Sequence, residues 1–355
     1  MTTRRSVLAG LFAATLPRLS WADIGSPAFL AAARDADGQS WLHGLSGGGQ
    51  SLFRLPMPSR GHAAAAHPTR PEAVAFARRP GMFALVIDCA AGTIRARLSP
   101  PEGRQFNGHG IFSADGSLLY TSEVVSETSE GRLGIWDADG GYVRLTEVAT
   151  HGVGPHDVKR LADGSLLVAN GGIQTDPEDR EKLNLDTMRP NLCYLSGDGR
   201  LLDQVELDPD YHQSSIRHLA LAPDGMVAFA MQWEGDPALT VPLLGMHRRG
   251  SPVRLCPAME QDAALMRGYA GSIAIDASGS QVAITSAPGG VVMIFGSDGL
   301  PRATIRRQDA SGIAAGTTGF VVTDGLGAIS ACDETGLRLL GTTATAWDNH
   351  LIAIG

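Results

Sequence analysis

His109-Gly-Ile-Phe-Ser-Ala-Asp-Gly116, running on into Ser117-Leu-Leu-Tyr-Thr-Ser-Glu123, reads as an apolar strand, a tight turn and a second apolar strand. The Asp-Gly pair supplies the positive φ that a short hairpin turn requires. The phrase recurs. His156-Asp-Val-Lys-Arg-Leu-Ala-Asp-Gly164 continues into Ser165-Leu-Leu-Val-Ala-Asn170, and His218-Leu-Ala-Leu-Ala-Pro-Asp-Gly225 into Met226-Val-Ala-Phe-Ala-Met-Gln232. Ser272-Ile-Ala-Ile-Asp-Ala-Ser-Gly279 continues into Ser280-Gln-Val-Ala-Ile-Thr-Ser286 in the same way. A further strand pair follows each phrase, most legibly Gly131-Arg-Leu-Gly-Ile-Trp-Asp137 and Tyr142-Val-Arg-Leu-Thr146 around the turn Ala138-Asp-Gly-Gly141. Four strands per unit at a spacing of roughly 47 residues is the pattern of a propeller blade, a sheet that cannot cover both faces until neighbours stack on it.

Two weaker copies begin at His62 and at Ser311, which makes six complete blades. The seventh is split. His350-Leu-Ile-Ala-Ile354 supplies a first strand, and Phe29-Leu-Ala-Ala-Ala33, Ser40-Trp-Leu-His-Gly-Leu45 and Ser51-Leu-Phe-Arg-Leu55 supply the other three. The expected fold is therefore all-β, a seven-bladed β-propeller whose ring is closed by joining both termini in one blade, leaving no free radial edge.

The 355 residues are 43% hydrophobic and 19% charged, with 44 glycines and 20 prolines, a balance that suits strands and turns better than helices. A net charge of −8 offers no basic stripe for phosphates, so nucleic acid is not the expected partner. Residues 1–22 differ from the rest: paired Arg4-Arg5, an apolar stretch from Leu8 to Leu16, and the small-x-small pattern Ser20-Trp-Ala22. This reads as an export signal of the twin-arginine type, cleaved near Ala22, with residues 23–355 forming the propeller in the periplasm and no later segment apolar enough to span a membrane. The four cysteines, Cys89, Cys193, Cys256 and Cys332, lie far apart without C-x-x-C spacing, and buried free thiols are expected.

Aligning the blades by their first strands brings His62, His109, His156, His218 and His350 into one column, with Ser272 and Ser311 in the other two blades. First strands line the central channel, so residues equivalent in the repeat converge near its axis. Neutral imidazole is a ligand for iron, copper and zinc, and such a ring offers three or four nitrogens with positions left open. The bland alternative is that histidine and serine close the channel mouth through hydrogen bonds to backbone and water. The ends of the second strands, Arg34, Arg78, Glu123, Asn170, Gln232, Ser286 and Asp324, approach the same rim, where Glu123 and Asp324 are candidate carboxylate partners for the imidazoles. Trp347 comes near just before His350, and Trp233-Glu234 border the opening. The long interruption Gly171 to Pro190 is expected to fold over the histidines as a lid.

Other motifs lose their context. Gly44-Leu-Ser-Gly-Gly48 matches a serine-hydrolase elbow in letters, yet it joins two strands instead of a strand and a helix. Asp137-Ala-Asp-Gly140 begins like a calcium loop but has Val148 where the twelfth-position acid belongs.

The twin-arginine-like start, Gly108-His-Gly-Ile-Phe-Ser113, Gly154-Pro-His-Asp-Val158, Asn184-Leu-Asp-Thr-Met-Arg-Pro-Asn191 and Trp347-Asp-Asn-His350 together resemble an uncharacterised family of exported proteobacterial propellers, a domain of unknown function. The resemblance covers essentially the whole chain after the signal. Members are often encoded near imelysin-like periplasmic proteins implicated in iron handling, which implies an iron context and partners among such proteins, but no catalytic residues. The expected function is a periplasmic metal-binding propeller, iron or copper ahead of zinc, serving metal acquisition or redox handling. Two alternatives stand beside it: a hydrolase or lyase with His156 as general base and Glu123 as its partner, and a non-catalytic interaction scaffold.

Overall fold

The computed structural model describes residues 19–78, 83–179 and 181–354. The arginine pair and apolar stretch of the expected signal therefore lie outside the described residues. Seven four-stranded antiparallel sheets form a ring, a seven-bladed β-propeller as the repeat implied. The first strands, from blade 1 to blade 7, are Gly61–Ala66, Arg104–Phe112, Pro155–Arg160, Ser214–Leu221, Ser272–Ile275, Ala310–Ala315 and Thr345–Ala353. The last belongs to the closing blade, where it pairs antiparallel with Phe29–Asp35, from Phe29 opposite Ala353 to Asp35 opposite Thr345. The turn glycines Gly116, Gly164, Gly225 and Gly279 all have positive φ, as the Asp-Gly and Ser-Gly turns required.

Second and third strands are apolar on both faces because both faces are covered: Leu166–Asn170, Asn191–Leu195 and Val291–Gly296 are buried along their whole length. Outermost strands such as Thr93–Leu98 are mostly exposed. The core is accordingly not central. It is divided into seven wedges, one at each junction between neighbouring blades, for example around Phe76, Phe106 and Trp136 between blades 1 and 2 and around Tyr194 and Phe229 between blades 3 and 4. What remains at the axis is the channel. All four cysteines are buried and unpaired. Among the described residues no helix is long and apolar enough to cross a membrane.

Trp21 joins the wedge between blades 7 and 1, and its indole N–H donates to the His67 carbonyl at 2.8 Å. A side chain placed within the expected signal thus packs with the propeller.

In the closing blade the buried His43 ring stands edge-on to Trp347, and its Nδ1 lies 2.9 Å from Ser51 Oγ. Burial, reinforced by the positive charge of Arg54, pushes the His43 pKa from 6.5 down to about 4. The unfolded chain therefore binds a proton that the folded one refuses between those values, and stability falls as pH drops below about 6.5. The loss attributable to this ring reaches roughly 3 kcal/mol near pH 4. Urea unfolding of wild type and His43→Phe should diverge in their pH dependence, with the variant losing less on acidification; parallel curves would contradict this assignment.

Candidate metal centre

Six of the seven first strands carry a register shift against their second strand, in five of them across the column residue itself and in blade 4 across Arg217, next to His218. The shifts fall between Gly61 and Ala64, Phe106 and Gly110, Pro155 and Val158, Ile216 and His218, Ala310 and Ile313, and Trp347 and Leu351. A bulge adds a residue to one strand and re-aims its side chain. Here it turns the column residue into the channel while the flanking apolar residues stay in the wedges. Gly108 makes room for one of them: it has φ +95°, and a Cβ there would lie 2.4 Å from the His62 ring.

All five imidazoles meet. Ring centroids are 4.5 Å apart for His62 and His350, 4.7 Å for His109 and His156, 4.7 Å for His156 and His218, and 4.8 Å for His218 and His350. His62, His109, His156 and His218 each present a nitrogen within 4.8 Å of the others, an arrangement that could hold a metal ion. His156 Nε2 and His218 Nε2 are 3.1 Å apart, and His350 Nε2 and His62 Nε2 are 3.3 Å apart. Two nitrogens bound tetrahedrally at Zn–N distances of 2.0–2.1 Å would be separated by about 3.3 Å.

Hydrogen bonding leaves part of this cluster unexplained. His109 Nε2, His156 Nδ1 and His218 Nδ1 are buried without a hydrogen-bond partner. An unsatisfied buried polar atom costs about 1–3 kcal/mol, so hydrogen bonds to protein groups alone do not account for the five rings, and these nitrogens call for an ion or water as a further partner. Burial first, and then mutual repulsion among the rings, hold His156 well below the ordinary histidine value. His218 and His350 are lowered in the same way. These imidazoles are neutral at pH 7, the form in which a metal binds.

Asp157, next in sequence to His156, lies 3.4 Å from His109 Nδ1 and so leaves Nε2 of that ring to face the centre. The same carboxylate accepts the Leu219 backbone N–H at 2.9 Å and pairs with Lys159 Nζ at 3.3 Å. Burial pushes its pKa up, but Lys159 and His109 outweigh that and hold the group ionised.

The model of a family described as "Protein of unknown function (DUF1513)" matches residues 55–354, a span that contains every histidine of the cluster. The chain belongs to that family. No curated protein matches it. Among solved structures, a chain of the Kuenenia stuttgartiensis hydrazine synthase is similar to the DUF1513 chain with a TM-score of 0.55 and 15% identity, the match covering 81% of each. A chain in the crystal structure of a mitotic checkpoint complex is similar with a TM-score of 0.56 and 10% identity, over 78% of this chain and 75% of that one. Both likenesses are of fold alone.

The rim expected in this DUF1513 chain is built differently. Glu123 is fully buried, but its carboxylate turns outward to Arg144 on the outermost strand of its blade, at 2.7 and 2.9 Å, and to Thr121 Oγ1. That placement also takes it away from the role of partner to a general base at His156. Asn170 likewise faces outward, bonding Thr150 and Asn191, and Asp324 pairs with Arg307. Alternation explains this: these residues sit one step along the pleat from the channel-facing positions, and no bulge re-aims them. Trp347 is buried against His43. Gln232 forms a backbone bridge with Tyr269, whose hydroxyl accepts from Asn349 Nδ2 at 2.7 Å, beside His350. The segment Gly171 to Pro190 folds back on itself at Thr175 and Lys182, and ties to blade 4 through Lys182–Glu234 and Gln213–Leu185. Sequence reasoning missed Asp157 and Lys159 beside the histidines, and Tyr269 as the partner of Asn349. Only Asp157 carried a signal, as the acid directly following a column histidine.

Proposed function

We propose that this chain is a periplasmic metal-binding propeller, holding iron or copper at His62, His109, His156 and His218 with His350 beside them, and serving metal acquisition or redox handling together with other periplasmic proteins. The observation that carries the reading is the convergence of four imidazoles from four blades within 4.8 Å in the wall of a buried channel. Neutral nitrogen donors without thiolate suit iron, copper and zinc, and the absence of a carboxylate set among these four disfavours calcium. Resemblance to a family encoded beside iron-related proteins favours iron. The Arg4-Arg5 start favours the twin-arginine route, which carries folded proteins and so lets the site form before export.

Metal analysis of protein recovered from its native compartment tests this directly. About one equivalent of iron or copper per chain is expected to survive gel filtration and to raise the unfolding temperature relative to chelated protein. Protein that takes up no transition metal, as isolated or after titration, would defeat the reading.

A further inference from the structure

Three of the five histidines form the floor of a cavity of about 340 Å³ that runs along the first strands towards their far ends. His109, His218 and His350 line its inner end, together with Asp157 and Ser272. Its walls are apolar, with Ile111, Leu221, Ile275, Ile313 and Ala315 contributed by four different blades. Apart from Asp157, the only charged side chain of the lining is Lys159, paired to that same carboxylate. A volume equal to about eleven waters is far more than a metal and its aqua ligand need, and it falls in the range of small-molecule sites.

Charge decides what such a cavity would take. Four imidazoles are neutral ligands, so a divalent ion bound by them keeps its full +2 charge. Asp157 does not offset it, because Lys159 at 3.3 Å already does so for Asp157. Arg217, buried beside His218, pairs with Glu234 and brings no negative charge to the site. A buried, uncompensated cation in apolar surroundings is costly, and an anion at its open position removes that cost. The same apolar walls reward a ligand whose remaining atoms are hydrocarbon, at about 25 cal/mol per Å² covered.

We propose that the cavity binds a small organic carboxylate, its carboxylate on the metal and beside Lys159, its apolar body along the channel wall. This rests on the metal reading above and adds the class of ligand. No covalent bond of the ligand is made or broken; one carboxylate–metal bond replaces one water–metal bond, and the water leaves to solvent.

The test uses the full chain loaded with Co(II), whose visible bands report each change in its ligands, titrated with benzoate, acetate and benzyl alcohol. Benzoate should bind at least tenfold more tightly than acetate, and benzyl alcohol should leave the spectrum unchanged. Ala315→Trp, which fills the channel away from the ligands, should keep one cobalt and its affinity for acetate but lose at least tenfold in benzoate affinity. Benzoate no tighter than acetate in wild type, or unaltered benzoate binding by a cobalt-loaded Ala315→Trp chain, would overturn the carboxylate assignment and leave the metal reading standing. Wild type that takes up no cobalt overturns both.

Discussion

Replacing His109, His156 and His218 together by alanine should empty the metal site while the propeller stays folded. Metal content is expected to fall from about one equivalent per chain to less than a tenth. Three of the four converging donors are gone, and the remaining pair, His62 and His350, cannot hold an ion against buffer. Binding free energies of about 10–16 kcal/mol for four-ligand sites leave ample room for so large a loss. The fold should survive because no histidine of the column belongs to any of the seven apolar wedges. Far-UV circular dichroism and the urea midpoint of metal-free protein should match wild type closely, since removing crowded rings with unsatisfied nitrogens offsets the packing they supply. Equal, low metal content in wild type and variant would refute the assignment.

Arg144→Ala should do the opposite, costing stability and sparing the site. Glu123 is fully buried in the second strand of blade 2, and Arg144 is its only cationic partner in direct contact among the described residues. Burial pushes the Glu123 carboxyl above its ordinary value even with Arg144 and Thr121 opposing that shift. Removing the guanidinium strands the carboxylate, a change that costs about 3–5 kcal/mol in buried pairs. The deficit should narrow as pH falls towards 4.5, because protonation relieves the buried charge. Adding Glu123→Gln to Arg144→Ala should recover much of the loss, which a double-mutant comparison of urea midpoints will show. Metal content should be unchanged in both variants. A shift of less than 1 kcal/mol in Arg144→Ala would mean that the pair is not the anchor its geometry describes.

The contrast between these two outcomes follows how the sequence could and could not be read. The blades were legible because each repeats a local pattern, the Asp-Gly turn between apolar strands at Gly116, Gly164 and Gly225, and local patterns survive in one dimension. The column of five histidines was legible for the same reason, since equivalent positions in a ring converge on its axis. The rim was not. Glu123, Asn170 and Asp324 do lie at the channel end of their strands, but which way a side chain points depends on a register that shifts by one or two residues at each bulge. The bulges that aim His109 and His156 inward are absent from the second strands, and nothing in the letters marks the difference.

The sequence by itself determined the number of blades, the closing of the ring by both termini and the residues of the histidine column, because all three are properties of a repeat. Only the tertiary structure decided that Asp157, not Glu123, stands beside the imidazoles, that Lys159 cancels its charge, and that an apolar cavity leads to the cluster. Those facts depend on distances between blades far apart in the chain, His109 to Asp157 across one junction and Asp157 to Leu219 across the next. Such distances are set by how the wedges pack and where the strands bulge, and no periodicity records them.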